Sequence, residues 1–520
     1  MEVPSDCGHV FVLRCGICDP KGDPNGANLA ADAVLKIGGE NAQVALATAA
    51  GATVKIYEVS EVKVEDSESL QVKKCVSLAV EFLDMAGAAL KGTKSAFGRA
   101  KPLIALPIPG CGRADSANKV ARDGKVIVEL LPKVYEAAAK FAVDIALCLI
   151  DESTYNGVQV LREKTCPFEG GAFWMLTDEQ KGQAARLQKM AEDGRLSVFI
   201  GAGVSFPSGL PSWGGLLNEL AEKAGFDEDE RKYLSELSYL DQPTLMSRKM
   251  GEASFKKAVA DCVRIGNFTP AHALLRALEV KTVTTNYDAL FEDAALSCEL
   301  SEDLAVLPWM VKKLESGQIQ TLLKLHGCVN HEESIVLERK DYLRYSDSRQ
   351  SLRGMMEDLL ITTDVLFVGF SMTDDNLHQI SDQCRKQFYK DGQPQKKMGT
   401  ILTLVENKMF RRLWDPDFVV QSFGSSWADN PAWKHDCFLD CLLSKISVKK
   451  ARTSFVLNPN FMGVLSDEER KVAEAFAAVT KLSEDANVRS SPCWPYVART
   501  LQIMGQPSRT RERLGLPSAE

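Results

Sequence analysis

Residues 196–200, Leu-Ser-Val-Phe-Ile, run without a spacer into Gly201-Ala202-Gly203-Val204-Ser205. A β-rich run that breaks directly into paired glycines predicts a strand ending in a sharp turn, the arrangement found where parallel strands feed a ligand crevice. Glycine there permits the turn and lets a pyrophosphate approach the backbone. A plain tight turn needs the same residues, so this loop alone leaves both readings open.

The surrounding pattern predicts an α/β fold. Strands are expected at LSVFIGAG, TVTTNYD, LLKLHG, DVLFVGF and ILTLVE, separated by helical or irregular segments. Thr177-Asp178-Glu179-Gln180 has capping-box spacing and opens a helix expected to run to Asp193. Before it, CPFEGGAFWM reads as a linker, and an earlier section alternates strands (HVFVLRC, ATVKIYEV, LIALPIP, DIALCLI) with Ala-rich helical stretches. There KVIVELLPKVYEAAAKFA is expected to cross over between parallel strands. The expected organisation is an N-terminal α/β domain over 1–165, a linker over 166–176, a Rossmann-type parallel-sheet domain over 177–450, and a helical or irregular C-terminal extension over 451–520 whose clear helix is EERKVAEAFAAVTKL.

The segment GAGVSFPSGLPSW is similar to the NAD-binding signature of the sirtuins, with Ser205, Ser208, Gly209, Leu210 and Pro211 in matching places. Thr285-Asn286-Tyr287-Asp288, Lys324-Leu325-His326-Gly327 and Val368-Gly369-Phe370-Ser371 follow in the order that family requires. Each has a bland reading: Asn286 and Asp288 as turn and cap residues, His326 as a satisfied core histidine, Gly369 and Ser371 as strand-end punctuation. Four ordered motifs together favour the resemblance.

The resemblance implies that Asn286 positions water at the nicotinamide ribose, Asp288 holds the carboxamide, and His326 contacts the ribose hydroxyls as a base. It implies that Gly201, Ala202, Gly203 and Ser205 cradle phosphates through N–H groups and a hydroxyl, with Ser208, Pro211 and Thr285 also at NAD. Gly369 and Ser371 then fall to the adenosine side, with Asp375 a candidate for hydrogen-bonding ribose. The deacylating members carry two CxxC pairs after the His-Gly motif; here that interval holds only Cys328, so no zinc is expected. In its place NHEESIVLERKDYLRY, through Asp341, Tyr342 and Tyr345, resembles the zinc-free sirtuin-like group known mainly from bacterial defence NADases.

In the N-terminal section LIALPIPGCGRADSANKVARDGKVIVELLP resembles the phosphate loop of macro domains, and Asp23 and Asn28 resemble that fold's first loop. A generic Rossmann-like domain is the alternative. The macro-like reading implies an ADP-ribose-like nucleotide held at Gly110, Gly112 and Arg113.

A net charge of -8 argues against broad nucleic-acid binding. The 14 cysteines form no regular framework, which fits a reducing, cytoplasmic setting. The N-terminus lacks a basic leader, and no run reaches the roughly 20 apolar residues a bilayer requires, so no membrane association is expected. The expected activity is an NAD glycohydrolase, in defence or stress signalling, acting as a homo-oligomer. An NAD-dependent deacylase or ADP-ribosyltransferase, and a non-catalytic NAD- or ADP-ribose-binding module, are the alternatives.

Overall fold

The computed structural model describes residues 3–4, 6–16, 29–38, 41–48, 51–56, 68–107, 123–150, 152–264, 266–298, 304–316, 320–390, 393–394, 396–458, 461–462, 465–482 and 485–504. Asp23, Asn28 and the loop with Gly110, Gly112 and Arg113 lie outside them. Two compact units emerge: Met1–Ile17 with Ala31–Thr177 and Asp440–Glu520, and Cys18–Ala30 with Asp178–Leu439.

The first unit holds strands β1 (Val10–Leu13), β2 (Ala33–Gly38), β3 (Asn41–Thr48), β4 (Gly51–Ile56), β5 (Leu103–Pro107) and β6 (Asp144–Cys148). Their order is β1-β6-β5-β2-β3-β4, parallel from β1 to β2 and antiparallel through β3 and β4. The helix Asp123–Phe141 connects the parallel neighbours β5 and β6, as its helical spacing predicts. The Ala-rich stretch around β2 and β3 is sheet, not helix. Backbone pairing from Ala33↔Leu46 to Gly38↔Asn41 overrides the helix propensity of alanine there.

Residues 440–520, of which only 451–520 are expected from sequence to lie outside the Rossmann-type domain, belong to this unit. Asp440 is fully buried and receives both guanidinium branches of Arg162, at 3.1 and 2.6 Å, and the His9 ring at 2.7 Å. The helix Asp467–Lys481 starts at a Ser466 capping box with Glu469, matching the helical pattern of EERKVAEAFAAVTKL.

The second unit holds β7 (Leu196–Ile200), β8 (Lys281–Thr284), β9 (Leu304–Leu307), β10 (Gln320–Lys324), β11 (Asp364–Val368), the short hairpin β12 (Tyr389–Lys390) and β13 (Gln393–Pro394), β14 (Gly399–Val405) and β15 (Phe418–Gly424). Seven of these form one parallel sheet in the order β15-β14-β11-β7-β8-β10-β9. Two of them, β9 and β15, had no counterpart among the strands expected from sequence. Buried residues such as Phe199, Val283, Leu323, Phe367 and Ile401 join it to its helices, with Phe199 stacked on Phe367 at 5.2 Å. Among the described residues no helix is long and apolar enough to cross a membrane.

Candidate active site

From β7 the chain winds outward to β8 on one side, and later returns to lay β11 against the other. The strand order therefore reverses between β7 and β11, and in open parallel sheets a crevice forms at the carboxyl ends of strands at such a point. Register completes the arrangement: Val368 pairs with Ile200, Ile200 with Thr284, and Thr284 with Lys324. Four strand ends lie in one row, and each of the four motifs begins at its end of that row.

The glycines join the two loops flanking the reversal. Gly201 N–H donates to Val368 O at 2.9 Å and Gly203 N–H to Gly369 O at 2.8 Å. A Cβ on Gly201 would sit 2.4 Å from Gly369 O, and one on Gly369 would sit 2.6 Å from Val204 N, at a φ of +63°. The N–H groups of Val204 and Ser205 donate to Gly201 O and Ala202 O. The donors of Gly201, Gly203 and Ser205 that sequence assigned to phosphates are thus engaged within the protein; these glycines serve loop-to-loop packing.

Behind the loop lies a buried polar network. Asn286 Nδ2 donates to Gly201 O at 3.2 Å and to Ser205 Oγ at 3.1 Å. The Ser205 hydroxyl donates to Asp288 Oδ2 at 3.0 Å, and Asp288 Oδ1 accepts Leu290 N–H at 3.1 Å. Asp288 therefore shapes the turn just ahead of the helix Leu290–Ser297, part of what the bland reading gave it, while also lining the cleft. Lys324, wholly buried, pairs with Glu292 at 2.8 Å and donates to Asp288 O at 2.5 Å, tying β10 to the motif after β8.

His272 completes the network. Its Nδ1 accepts from Thr269, 2.8 Å from the hydroxyl, which assigns the proton to Nε2, 3.3 Å from Ser205 Oγ. Burial pushes this imidazole down to about 4, partly countered by Asp288. The unfolded chain then binds the proton more readily, so stability present above pH 6.5 is lost as pH falls toward 4. The drop in unfolding free energy from pH 7 to 4.5 is expected to be smaller in His272→Gln by roughly 2 kcal/mol. Urea titrations at both pH values measure it, and equal drops in the two proteins would refute the account.

His326 follows β10. Gly327 has φ +97°, and a Cβ there would meet Ser334 O at 2.4 Å, so glycine is required to turn the chain after the histidine. The imidazole lies edge-on to Tyr342 at 5.6 Å and Tyr345 at 5.8 Å. Burial lowers its basicity, Asp374 opposes this and Arg349 reinforces it, which leaves the ring neutral near pH 7. Among the described residues, His326 Nε2 and Asn286 Oδ1 are both buried with no hydrogen-bond partner.

Both residues open on a cleft of about 840 Å³. Its lining brings together Ala202, Gly203, Ser205, Pro211, Thr285, Asn286, Asp288, His326, Gly369, Ser371 and Asp375; Gly201 and Ser208 do not line it. Residues 280–418 match the family model described as a SIR2-like domain. Over those residues the chain is similar to SIR2-like domains.

The chain is also similar to curated proteins. The chain is 30% identical over 200 residues to the NAD(+) hydrolase ThsA of Bacillus cereus (strain MSX-D12), covering 38% of this chain and 41% of that protein. It is 27% identical over 215 residues to ThsA of Enterococcus faecium, covering 40% and 43%. It is 25% identical over 252 residues to the defense-associated sirtuin 2 of Bacillus subtilis, covering 46% and 25%. The chain thus spans less than half the length of the curated relatives it matches.

Among the described residues no cluster of three or more His, Cys, Asp or Glu side chains is placed to hold a metal ion. Two lining residues of the cleft escaped the sequence. Arg339 is the sole cation among the described lining residues, and it is held by Asp241 and Ser238. Asp374 accepts Tyr342 Oη–H at 3.2 Å and Leu377 N–H at 2.9 Å, and its Oδ2 lies 3.5 Å from His326 Nε2. Sequence pointed instead to its neighbour Asp375, which opens the helix Asp375–Phe388. The missed signal was the Asp-x-x spacing of an N-cap.

Proposed function

We propose that this protein hydrolyses the nicotinamide–ribose bond of NAD, releasing nicotinamide and ADP-ribose or its cyclic form. The carrying observation is that Asn286 and His326, each with a buried, unpartnered polar atom (Oδ1 and Nε2), line one cleft at neighbouring strand ends. Leaving such atoms unpaired costs about 1–3 kcal/mol each, a cost that a bound ligand removes. The NAD(+) hydrolase relatives support the same reading.

The chemistry suits these residues. The C1′–N bond breaks with its electron pair passing to nicotinamide, which leaves neutral, so no strong acid is needed. Positive charge grows on the ribose, where the fixed carboxylate of Asp288 favours it. Asn286 Oδ1 accepts a hydrogen bond from the attacking water, and the neutral His326 contacts a ribose hydroxyl and takes up the proton released on addition. No metal takes part.

On incubation with NAD the full chain is expected to release nicotinamide, detected chromatographically, with no loss of rate on chelator treatment and no stoichiometric zinc by elemental analysis. Unchanged NAD, or consumption only with an acylated peptide present, would overturn the reading.

The wider setting belongs to the same proposal: a cytoplasmic homo-oligomer in defence or stress signalling, with an ADP-ribose-like nucleotide bound by the first unit as a control signal. Such a ligand acts only by differential affinity, and a tenfold change in turnover needs about 1.4 kcal/mol of it.

A further inference from the structure

The geometry points to Asp374 as the positioning residue for His326, a carboxylate held in place to meet the charge that the imidazole acquires when it takes up a proton. This rests on the proposed NAD cleavage. Asp374 is fixed from two sides: Oδ1 accepts the Leu377 N–H at 2.9 Å, and Oδ2 accepts the Tyr342 hydroxyl at 3.2 Å. The same Oδ2 lies 3.5 Å from His326 Nε2, which has no hydrogen-bond partner among the described residues. A helix cap explains one of these contacts. It does not explain a tyrosine, itself edge-on to the histidine, being spent on the oxygen that faces the ring.

The groups around the ring are Tyr342 and Tyr345 edge-on, Asp374 beside Nε2, and Arg349, whose guanidinium donates to Leu325 O at 3.1 Å. Arg349 and burial disfavour an imidazolium, and Asp374 alone among these favours it. When a ribose hydroxyl or the attacking water gives up its proton, the O–H electron pair stays on oxygen and the proton passes to the imidazole. The new positive charge then stands beside a fixed negative one in a low-dielectric site, where such pairing is strongest.

Asp374→Asn keeps the shape and the cap, because asparagine is an equally good N-cap, and removes only the charge. In the ligand-free protein the titration of His326, followed by NMR of labelled histidine, is expected to move to lower pH. Turnover of NAD should fall about tenfold or more in kcat with KM little changed, and the acid limb of the pH profile should move to lower pH. A purely structural role would lower activity at every pH and leave the titration where it was. If Asp374→Asn does not fold, Tyr342→Phe frees one carboxylate oxygen without touching the cap; its kcat is expected to fall severalfold at unchanged KM, and a wild-type kcat would overturn the proposal. No NAD cleavage by the wild-type chain would remove the proposed function while the His326 titration stayed readable. Wild-type cleavage with an unmoved titration in Asp374→Asn would remove this inference alone.

Discussion

His326→Ala is expected to lower NAD cleavage by at least about a hundredfold, and Asn286→Ala by a similar factor, with the protein still folded. Both residues line the cleft, and each keeps a buried, unpaired polar atom that a bound ligand would partner. Loss should appear in kcat, because a base and a water-orienting group act mainly at the transition state. Asn286 carries the greater structural risk, since its amide also ties Gly201 to Ser205. Circular dichroism and gel filtration separate the two effects. Near-normal turnover by either folded variant would show the site to be wrongly assigned.

Asp440→Ala is expected to destabilise the first unit by about 3–5 kcal/mol, the usual cost of leaving a buried charge without its partner. Burial pushes the Asp440 carboxyl up, but Arg162 and His9 overcome this and hold it below the usual carboxylate range. Without Asp440, the Arg162 guanidinium keeps the Phe173 ring at 4.5 Å but loses both charge-assisted hydrogen bonds while wholly buried. Replacing both, as Asp440→Leu with Arg162→Met, should restore most of the stability, because no uncompensated charge then remains. Urea unfolding of the single and double variants measures this. An unchanged midpoint in Asp440→Ala would mean that the pair does not hold the residues after 440 in place.

What could be read without a structure was whatever depends on neighbours along the chain. The strand into Gly201, the motifs at 285–288, 324–327 and 368–371, the crossover helix after β5 and the helix that begins just after Thr177 are local patterns, and each stands where its spacing placed it. The stretch that forms β2 and the alanine-richer β3 is sheet because strand pairing with partners several residues away outweighs local propensity. The same limit applied to the site. That four motifs meet follows from the strand order and from the pairing of Val368, Ile200, Thr284 and Lys324, neither of which any single segment encodes. The pull of Asp374 on His326, the closing of the Ser205 network by His272, and the bonds of the Gly201 and Gly203 N–H groups to Val368 O and Gly369 O are contacts between distant stretches. Sequence by itself determined which residue types stand at each strand end. Only the tertiary structure decided their partners, because hydrogen bonds and charges act over a few ångströms in space, whatever the distance along the chain.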